Sequence, residues 1–273
     1  MIDNLSLAEW REEHAPWPID LYVEQDLVIS RVLVHLYNHP LLKKELAFRG
    51  GTALQKCFYK SPTRYSEDID CVQVNASPIG PILDALRETL EPWLGKSRLK
   101  QGQGLMTLYY RFEGSDLHKS IMRLKVEINT REHEACLQHI HKQFSVRSRW
   151  FSGECEILTY ELDELLGSKL RALYQRKKGR DLFDMVRALE SLPINIDQLL
   201  YCFHKHVEFM GLKISRAEFE ANLLGKRSMP QFRDDMQTLL PLESKLNFDH
   251  DFELVMTKLI SKLPGAPWKG SKE

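Results

Sequence analysis

The chain has 273 residues, and its content of 43% hydrophobic and 28% charged residues is typical of a globular protein with one large or two modest domains. Its 38 basic and 38 acidic residues cancel, so no global field attracts nucleic acid and a polynucleotide partner would need a local basic patch. Five scattered cysteines without a Cys-x-x-Cys pair indicate reduced thiols in the cytoplasm, and neither a secretory signal nor an apolar run of ~18 residues that could span a membrane is present.

The N-terminal part is predicted to lead into a turn made of two glycines. Residues 1–18, with two tryptophans and two prolines, are predicted to be irregular, and apolar positions at helical spacing predict a helix over 19–37. A short strand at 46–48 precedes Gly50-Gly51, and a helix follows to about residue 59. Glycine lets backbone N–H groups approach a ligand, and a helix N-terminus attracts anions such as phosphate. Alone, such a turn is more often structural, and the Gly-Lys-Ser/Thr ending of a Walker A loop is missing.

Two carboxylates follow on the next predicted strand, at 68–74. Asp68 and Asp70 are two residues apart, so the alternation of a strand places both on one face while Ile69 points the other way. Hard oxygen ligands at this spacing suit Mg²⁺. An Asp-x-Asp pair alone is often a solvated rim, but together with a phosphate-cradling turn it is a sharper signal.

A third carboxylate lies on a later predicted strand. After a helix at 78–94, strands are predicted at 105–112 and 121–129, joined by a turn-rich connection. In the second strand Glu127 belongs to the polar face, and this strand is expected to neighbour the one that carries Asp68 and Asp70. The residues alone favour a surface Glu127 paired with Lys125.

Residues 131–155 are rich in histidine, cysteine and basic residues. The spacing of these histidines and cysteines fits no standard zinc site. The basic and aromatic residues near position 145 are compatible with a nucleic-acid contact and equally with a solvated strand edge.

From Leu162 onwards the composition predicts helices, with a domain boundary near residue 160, giving domains 1–160 and 161–273. Further helices are predicted at 196–209, 215–224, 229–239 and 249–263, with a frayed C-terminal tail. Lys169 and Arg176 project from one face of the first of these helices. Such residues on an amphipathic helix usually face water.

Three motifs together resemble the AbiEii/AbiGii-type toxin family of nucleotidyltransferases, which are relatives of the DNA polymerase β superfamily. They are Gly50-Gly51-Thr52-Ala53-Leu54, Arg64-Tyr65-Ser66-Glu67-Asp68-Ile69-Asp70, and Lys169 with Arg180-Asp181-Leu182-Phe183-Asp184. The resemblance covers roughly residues 20 to 190 and implies an α+β fold. A polymerase β-like core, a small mixed sheet with flanking helices, would be followed by a helical C-terminal domain, with the site in the cleft between them.

The resemblance also implies roles for individual residues. Asp68, Asp70 and Glu127 would bind Mg²⁺, with two ions expected. Gly50, Gly51 and Thr52 would cradle the β- and γ-phosphates of an NTP through backbone N–H groups, with the Thr52 hydroxyl helping. Lys169 would steady the triphosphate and the leaving pyrophosphate. Supporting roles at the nucleotide fall to Arg64, Arg176, Arg180 and Asp184, the last through an ion pair with Lys169 or Arg180. For Arg180 and Asp184, a purely structural Arg–Asp pair is the alternative.

The implied function is that of a Mg²⁺-dependent toxin of a bacterial toxin–antitoxin or phage-defence pair. It would transfer NMP from an NTP to an acceptor hydroxyl, with the 3′ end of tRNA as the expected acceptor and an antitoxin as protein partner. The basic cluster Arg176–Arg180 is compatible with RNA, although basic loops are usually just solvated. Alternatives are a small-molecule or protein hydroxyl as acceptor, a non-catalytic module that binds an antitoxin, and an unrelated Mg²⁺-dependent phosphohydrolase.

Overall fold

A computed structural model describes residues 2–241, 244 and 246–270 of the chain. Its backbone divides into two compact units, Met1–Tyr160 and Glu161–Glu273. None of the five cysteines, all of which are described, forms a disulfide. Among the described residues, no helix is both long and apolar enough to cross a membrane.

The first unit is a mixed sheet with helices. Its described helices are α1 (Asn4–Glu13), α2 (Asp20–Asn38), α3 (Leu42–Glu45), α4 (Gly50–Phe58) and α5 (Gly80–Leu94). Its described strands are β1 (Leu46–Arg49), β2 (Asp68–Gln73), β3 (Arg98–Gly102), β4 (Leu105–Glu113), β5 (Ile121–Asn129), β6 (His139–Arg147) and β7 (Ser152–Tyr160). These strands form one sheet in the order β3-β4-β5-β2-β1-β7-β6. β2 is parallel to β5 and β1 is parallel to β7, whereas the other neighbours are antiparallel.

The predicted α+β class with a small mixed sheet is therefore confirmed. Alternation explains β5, because Leu124, Val126 and Ile128 are fully buried while the residues between them lie on the other face of the sheet. Helix α2 packs on β5, β6 and β7 and is buried along most of its length. One face of β5 thus contributes to the core, and its other face carries the charged side chains of Arg123, Lys125 and Glu127.

Helix α1 corrects the prediction that residues 1–18 are irregular. Asp3 caps the helix by accepting a hydrogen bond from the backbone N–H of Ser6, and the two prolines fall after the helix ends. The indole of Trp10 donates to Asp26 Oδ1 at 2.9 Å, and Lys56 Nζ lies 2.7 Å from the same oxygen. The buried Asp26 on α2 therefore stabilises α1, whose own pattern of apolar residues is too weak to predict a helix.

Strand β3 was not predicted, because all five of its residues are exposed and it lacks the apolar alternation that indicates a strand. It is held by its pairing with β4 at the edge of the sheet.

The second unit is helical in its described part, as predicted. Its elements are α6 (Leu162–Gln175), α7 (Gly179–Ser191), α8 (Ile196–Glu208), α9 (Arg216–Arg227), α10 (Pro230–Arg233), α11 (Phe248–Lys258) and a 3₁₀ helix at Ile260–Lys262. A Cβ added to Gly167 on α6 would lie 2.8 Å from the backbone nitrogen of Phe203 on α8. Glycine thus allows these two helices to pack closely.

One prediction for the second unit is wrong. The helix expected over 229–239 is a single turn, α10, followed by turns. Met236 and Leu240 are spaced as on one face of a helix, and both pack against Phe183. A chain of turns brings them to the same contact, so their spacing does not require a helix. The frayed tail stays a prediction; in its described part, the backbone N–H of Trp268 donates to Glu220 Oε2 at 2.7 Å. Residues 271–273 of the tail lie outside the described residues.

Candidate active site

A row of polar residues crosses one face of the first unit's sheet, the face opposite to that of Leu124, Val126 and Ile128. Asp70 on β2 is the register partner of Arg49 on β1 and of Glu127 on β5. Register partners project from the same face, so these three side chains are neighbours. The structure therefore brings Glu127 beside Asp70, and Asp68 lies two residues before Asp70 on the same face.

Lys125 links the outer two carboxylates of this group. It is the register partner of Asp68, and its Nζ lies 3.4 Å from Asp68 Oδ2 and 2.9 Å from Glu127 Oε2. The Lys125–Glu127 pair that the residues alone favoured is thus present, within the carboxylate group rather than away from it.

Asp70 differs from its two neighbours in having no direct partner. Among the described residues, its carboxylate accepts no hydrogen bond and has no cationic side chain within 4.0 Å. The nearby Arg49 pairs instead with Glu132, at 2.9 Å between Nη1 and Oε2. A buried acidic group without a protein partner is unusual, and a catalytic role or a bound ion or water molecule is among the explanations for one.

The glycine turn abuts the same carboxylate. Gly50, the first residue of α4, has φ +82°, and a Cβ added there would lie 2.5 Å from Asp70 Oδ2. Only glycine adopts this conformation at low cost, and only glycine leaves room for the carboxylate. The N-terminus of α4, with its free backbone N–H groups, therefore begins beside Asp70.

The next two residues of the turn are fixed by side chains of the loop before β2. A Cβ at Gly51 would collide with the guanidinium of Arg64, which is buried and donates to the backbone oxygen of Tyr65 at 2.8 Å. The hydroxyl of Thr52 donates to the backbone oxygen of Asp68, so its contact with Ser66 Oγ at 2.8 Å must use the proton of Ser66. These two hydrogen bonds join α4 to β2. Because they use the single proton of the Thr52 hydroxyl, that proton is not available to a phosphate.

The electrostatics of the group agree with its geometry. The pKa of Asp70 is raised, first because burial disfavours the charged form and then because Asp68 and Glu127 add negative charge. Burial likewise raises the pKa of Asp68, although Lys125 acts in the opposite direction. Burial alone would lower the pKa of Lys125, but its hydrogen bond to Glu127 and the surrounding carboxylates raise it well above its ordinary value. The fold therefore gathers negative charge here that one ammonium does not satisfy.

The residues present fit a divalent cation. Asp68, Asp70 and Glu127 offer only carboxylate oxygens, which are the ligands that Mg²⁺ prefers, and Asp70 has no other partner. Whether one or two ions would bind there remains a prediction.

The predicted residues of the second unit form a separate buried charge cluster. Lys169 on α6 is buried, and its Nζ lies 2.6 Å from Asp184 Oδ2 and 3.7 Å from Asp181 Oδ1. The predicted ion pair of Asp184 with Lys169 is thus present. Arg176 binds Asp181 through two hydrogen bonds, at 2.6 and 2.8 Å. Two fully buried carboxylates on α7 are therefore neutralised by one lysine and one arginine.

Arg180, another predicted residue, forms a hydrogen bond through its backbone but no ion pair through its side chain within the described residues. Its backbone N–H donates to Asp235 Oδ2 at 3.1 Å. Within the described part of the chain, its guanidinium has no carboxylate within 4.0 Å.

Comparisons with known proteins identify the family. The model of a family described as nucleotidyl transferase AbiEii toxin of a type IV toxin–antitoxin system matches residues 31–258. The chain belongs to this AbiEii nucleotidyltransferase toxin family. It is accordingly a nucleotidyltransferase, as predicted.

The solved structure of MenT4 agrees with this chain at the level of the fold. MenT4, a nucleotidyltransferase toxin from Mycobacterium tuberculosis H37Rv, has 17% sequence identity and a TM-score of 0.65, over 97% of this chain and 91% of its own. An antigenic nucleotidyltransferase-like protein from Paracoccidioides brasiliensis has 17% identity and a TM-score of 0.41, over 68% and 88% of the two chains. No curated protein shows significant sequence similarity to this AbiEii family member.

Sequence reasoning missed four residues that this AbiEii family member places at these two groups. Arg49, Ser66 and Asp181 stand inside the quoted motifs or next to them, so closer attention to strand alternation and helix spacing could have identified them. Lys125 was considered only as a surface partner of Glu127; its contact with Asp68 depends on the register of β5 with β2, which the sequence does not specify.

Proposed function

We propose that this AbiEii family member transfers NMP from an NTP to an acceptor hydroxyl, with Mg²⁺ held by Asp68, Asp70 and Glu127. The observation that carries the proposal is the convergence of these carboxylates, one of them without a partner, on the Gly50 turn. A divalent ion bound there would stabilise the charge of the phosphates and activate the attacking hydroxyl. Lys125 holds Asp68 and Glu127 through ion pairs, and Arg49 flanks Asp70 as its register partner on β1.

The N-terminus of α4 is proposed to bind the phosphates of the NTP. Its backbone N–H groups at Gly50 and Gly51 present partial positive charge without a Cβ in the way. Arg64 packs against Gly51 and adds a full positive charge. In this proposal Thr52 positions the turn through its bond to Asp68, and its contact with phosphate is through the backbone. Catalysis would then consist mainly of positioning and electrostatic stabilisation.

Lys169, Arg176 and Arg180 of the second unit are proposed to bind the triphosphate and the leaving pyrophosphate, with Asp184 orienting Lys169. The family resemblance supports Lys169. The open guanidinium supports Arg180, because a cation that is not already paired can bind phosphate without breaking a bond.

The acceptor is proposed to be the 3′ end of tRNA, and an antitoxin is the proposed protein partner in the cytoplasm. Membership of a toxin family of a type IV toxin–antitoxin system supports the antitoxin. A nucleic-acid acceptor is supported by uncompensated basic side chains on the same face of the sheet as the carboxylates.

The test is a transfer assay with purified protein, Mg²⁺ and each of the four NTPs labelled at the α-phosphate, with total tRNA or with no RNA. We expect label in tRNA with the native chain and none with Asp70→Asn, while Asp84→Asn, an exposed acid on α5, transfers normally. Label in the protein or in a small molecule would overturn the tRNA acceptor. Conversion of the labelled NTP to free NDP or NMP without transfer to an acceptor would indicate a phosphohydrolase, and no NTP binding at all would indicate an interaction module.

A further inference from the structure

A groove of 570 Å³ lies at one end of the first unit's sheet, and its lining is strongly basic. It is lined by Lys96, Arg98, Leu99, Lys100, Tyr109, Arg111 and Arg123. None of its five cationic side chains has a carboxylate within 4.0 Å among the residues that the structure describes. In a chain whose charges cancel overall, this is a concentrated and uncompensated basic surface.

The groove belongs to the same face of the sheet as the carboxylates. Asp68, Lys125, Tyr109 and Arg98 are successive register partners across four neighbouring strands. The same holds one row further along, where Asp70 and Glu127 are followed by Thr107 and Lys100. Register partners share a face, so the basic side chains and the carboxylates line one continuous surface.

Protection of a sheet edge does not account for this charge. Lysine and arginine on an edge strand discourage pairing with another sheet, which is sufficient for Arg98 and Lys100 on β3. Arg111 on β4 and Arg123 on β5 are interior to the sheet and face each other in register. Like charges directly opposite each other destabilise a sheet, so an anion that binds both would remove a cost the fold otherwise bears.

An aromatic ring lies within the basic surface. The guanidinium of Arg123 lies over the ring of Tyr109, 5.4 Å from its centroid. A groove that combines cations with an aromatic or guanidinium plane is the arrangement by which proteins bind single-stranded nucleic acid. An acidic polypeptide would use the cations but not the stacking surface.

The other basic segment of the chain is a weaker candidate for the same role. In the cluster Arg176–Arg180, Arg176 is bound to Asp181, and Lys178 lies 3.7 Å from Asp235. Part of its charge is therefore already neutralised, whereas that of the groove is not.

We propose that this groove binds the phosphate backbone of the single-stranded 3′ segment of an RNA acceptor, whose terminal hydroxyl then lies at the carboxylates. Arg98 is three strand spacings from Asp68, or about 14 Å, which corresponds to about four stacked nucleotides at 3.4 Å each. The proposal rests on the proposed function for the identity of the reactive end. The binding of RNA in the groove is tested independently of transfer.

The test is fluorescence anisotropy with a labelled 12-nucleotide single-stranded RNA and the full chain, over a range of salt concentrations and without NTP. The variant Arg98→Gln/Lys100→Gln removes two exposed cations of the groove. The matched control, Lys43→Gln/Lys44→Gln, removes two exposed cations of α3 in the same unit. Circular dichroism and thermal unfolding of both variants verify that the fold is retained.

If both groove residues contact phosphates, each should contribute about 0.7 to the slope of log K against log salt. The groove variant should therefore lose about 1.4 from the slope and bind about 25-fold more weakly at 0.1 M salt, whereas the control should match the native chain. Native-like affinity and slope in the groove variant would overturn the proposal. So would an equal loss in the control, or tighter binding of polyglutamate than of the RNA.

The two proposals fail separately. Asp70→Asn should retain native RNA affinity while losing transfer. Groove-dependent RNA binding without any nucleotide transfer by the native chain would refute the proposed function and leave the groove assignment standing. If the groove variant binds RNA with native affinity and transfers nucleotide to it, the assignment of the groove is refuted while the proposed function is retained.

Discussion

The carboxylate group should make the metal-free protein less stable than it would be without Asp70. We therefore expect Asp70→Asn, which keeps the shape of the side chain, to raise the free energy of unfolding in the presence of a chelator. Asp70 has no described hydrogen-bond donor or cation to stabilise its charge, and Asp68 and Glu127 lie beside it. Removal of one charge relieves both the repulsion and the cost of burying that charge.

The magnitude follows from the spacing of the strands. Two unit charges about 5 Å apart repel by about 3 kcal/mol at an effective dielectric constant of 20. The more distant attraction of Lys125 and Arg49 offsets part of this repulsion. A net gain of about 1–3 kcal/mol is thus expected, which corresponds to an increase in Tm of several degrees for a domain of this size.

The effect should depend on pH in a defined direction. Because the folded-state pKa of Asp70 is raised above its ordinary value of 3.8, the unfolded chain releases this proton first as the pH rises. The contribution of Asp70 to stability is therefore fully present below pH 3.8 and is lost as the pH rises through the folded-state pKa. The stability advantage of Asp70→Asn should accordingly be small in acid and largest at neutral pH.

Thermal and urea unfolding, each with EDTA and with Mg²⁺, measure these effects. Mg²⁺ should stabilise the native chain by about 2.7 kcal/mol when present at 100 times its Kd, and should barely stabilise Asp70→Asn. Asp84→Asn, whose side chain is 77% exposed, is the matched control and should change stability by less than about 0.5 kcal/mol. A destabilised Asp70→Asn in EDTA, or an equal response of both proteins to Mg²⁺, would refute the reasoning.

Two further predictions concern the glycine turn and the charge cluster of the second unit. Gly50→Ala should cost at least about 1–2 kcal/mol and abolish transfer, because alanine disfavours φ +82° and its Cβ would meet Asp70; native Tm and activity would contradict this. Lys169→Met should cost about 3–5 kcal/mol, because Asp184 and Asp181 lose a buried partner. Addition of Asp184→Leu should restore much of this stability in urea unfolding, whereas recovery of NTP affinity in the double variant would show that Lys169 does not bind substrate.

The sequence was sufficient wherever a property depends on local periodicity. Alternation placed Asp68 and Asp70 on one face, and the run of Leu124, Val126 and Ile128 identified β5 and its polar face. The glycine pair indicated the turn, which Gly50 makes with a positive φ. Helical spacing likewise predicted most of the helices of the second unit.

Local reasoning failed where a distant contact decides the structure. Helix α1 depends on the bond from Trp10 to Asp26, sixteen residues away. Strand β3 depends on its pairing with β4 and has no buried residue of its own. At 229–239 the apolar residues have helical spacing, yet their packing on Phe183 is compatible with turns.

The candidate site likewise has features that local sequence patterns predict and features that depend on contacts between distant segments. The sequence by itself determined which residue types are available and which way each side chain points from its own strand, because alternation is a property of the local backbone. Only the tertiary structure decided that β5 lies parallel to β2, and therefore that Glu127 stands beside Asp70, Lys125 beside Asp68, and the basic groove on the same face. Strand neighbours and register are set by burial and hydrogen bonding between segments far apart in the chain, which no local pattern specifies.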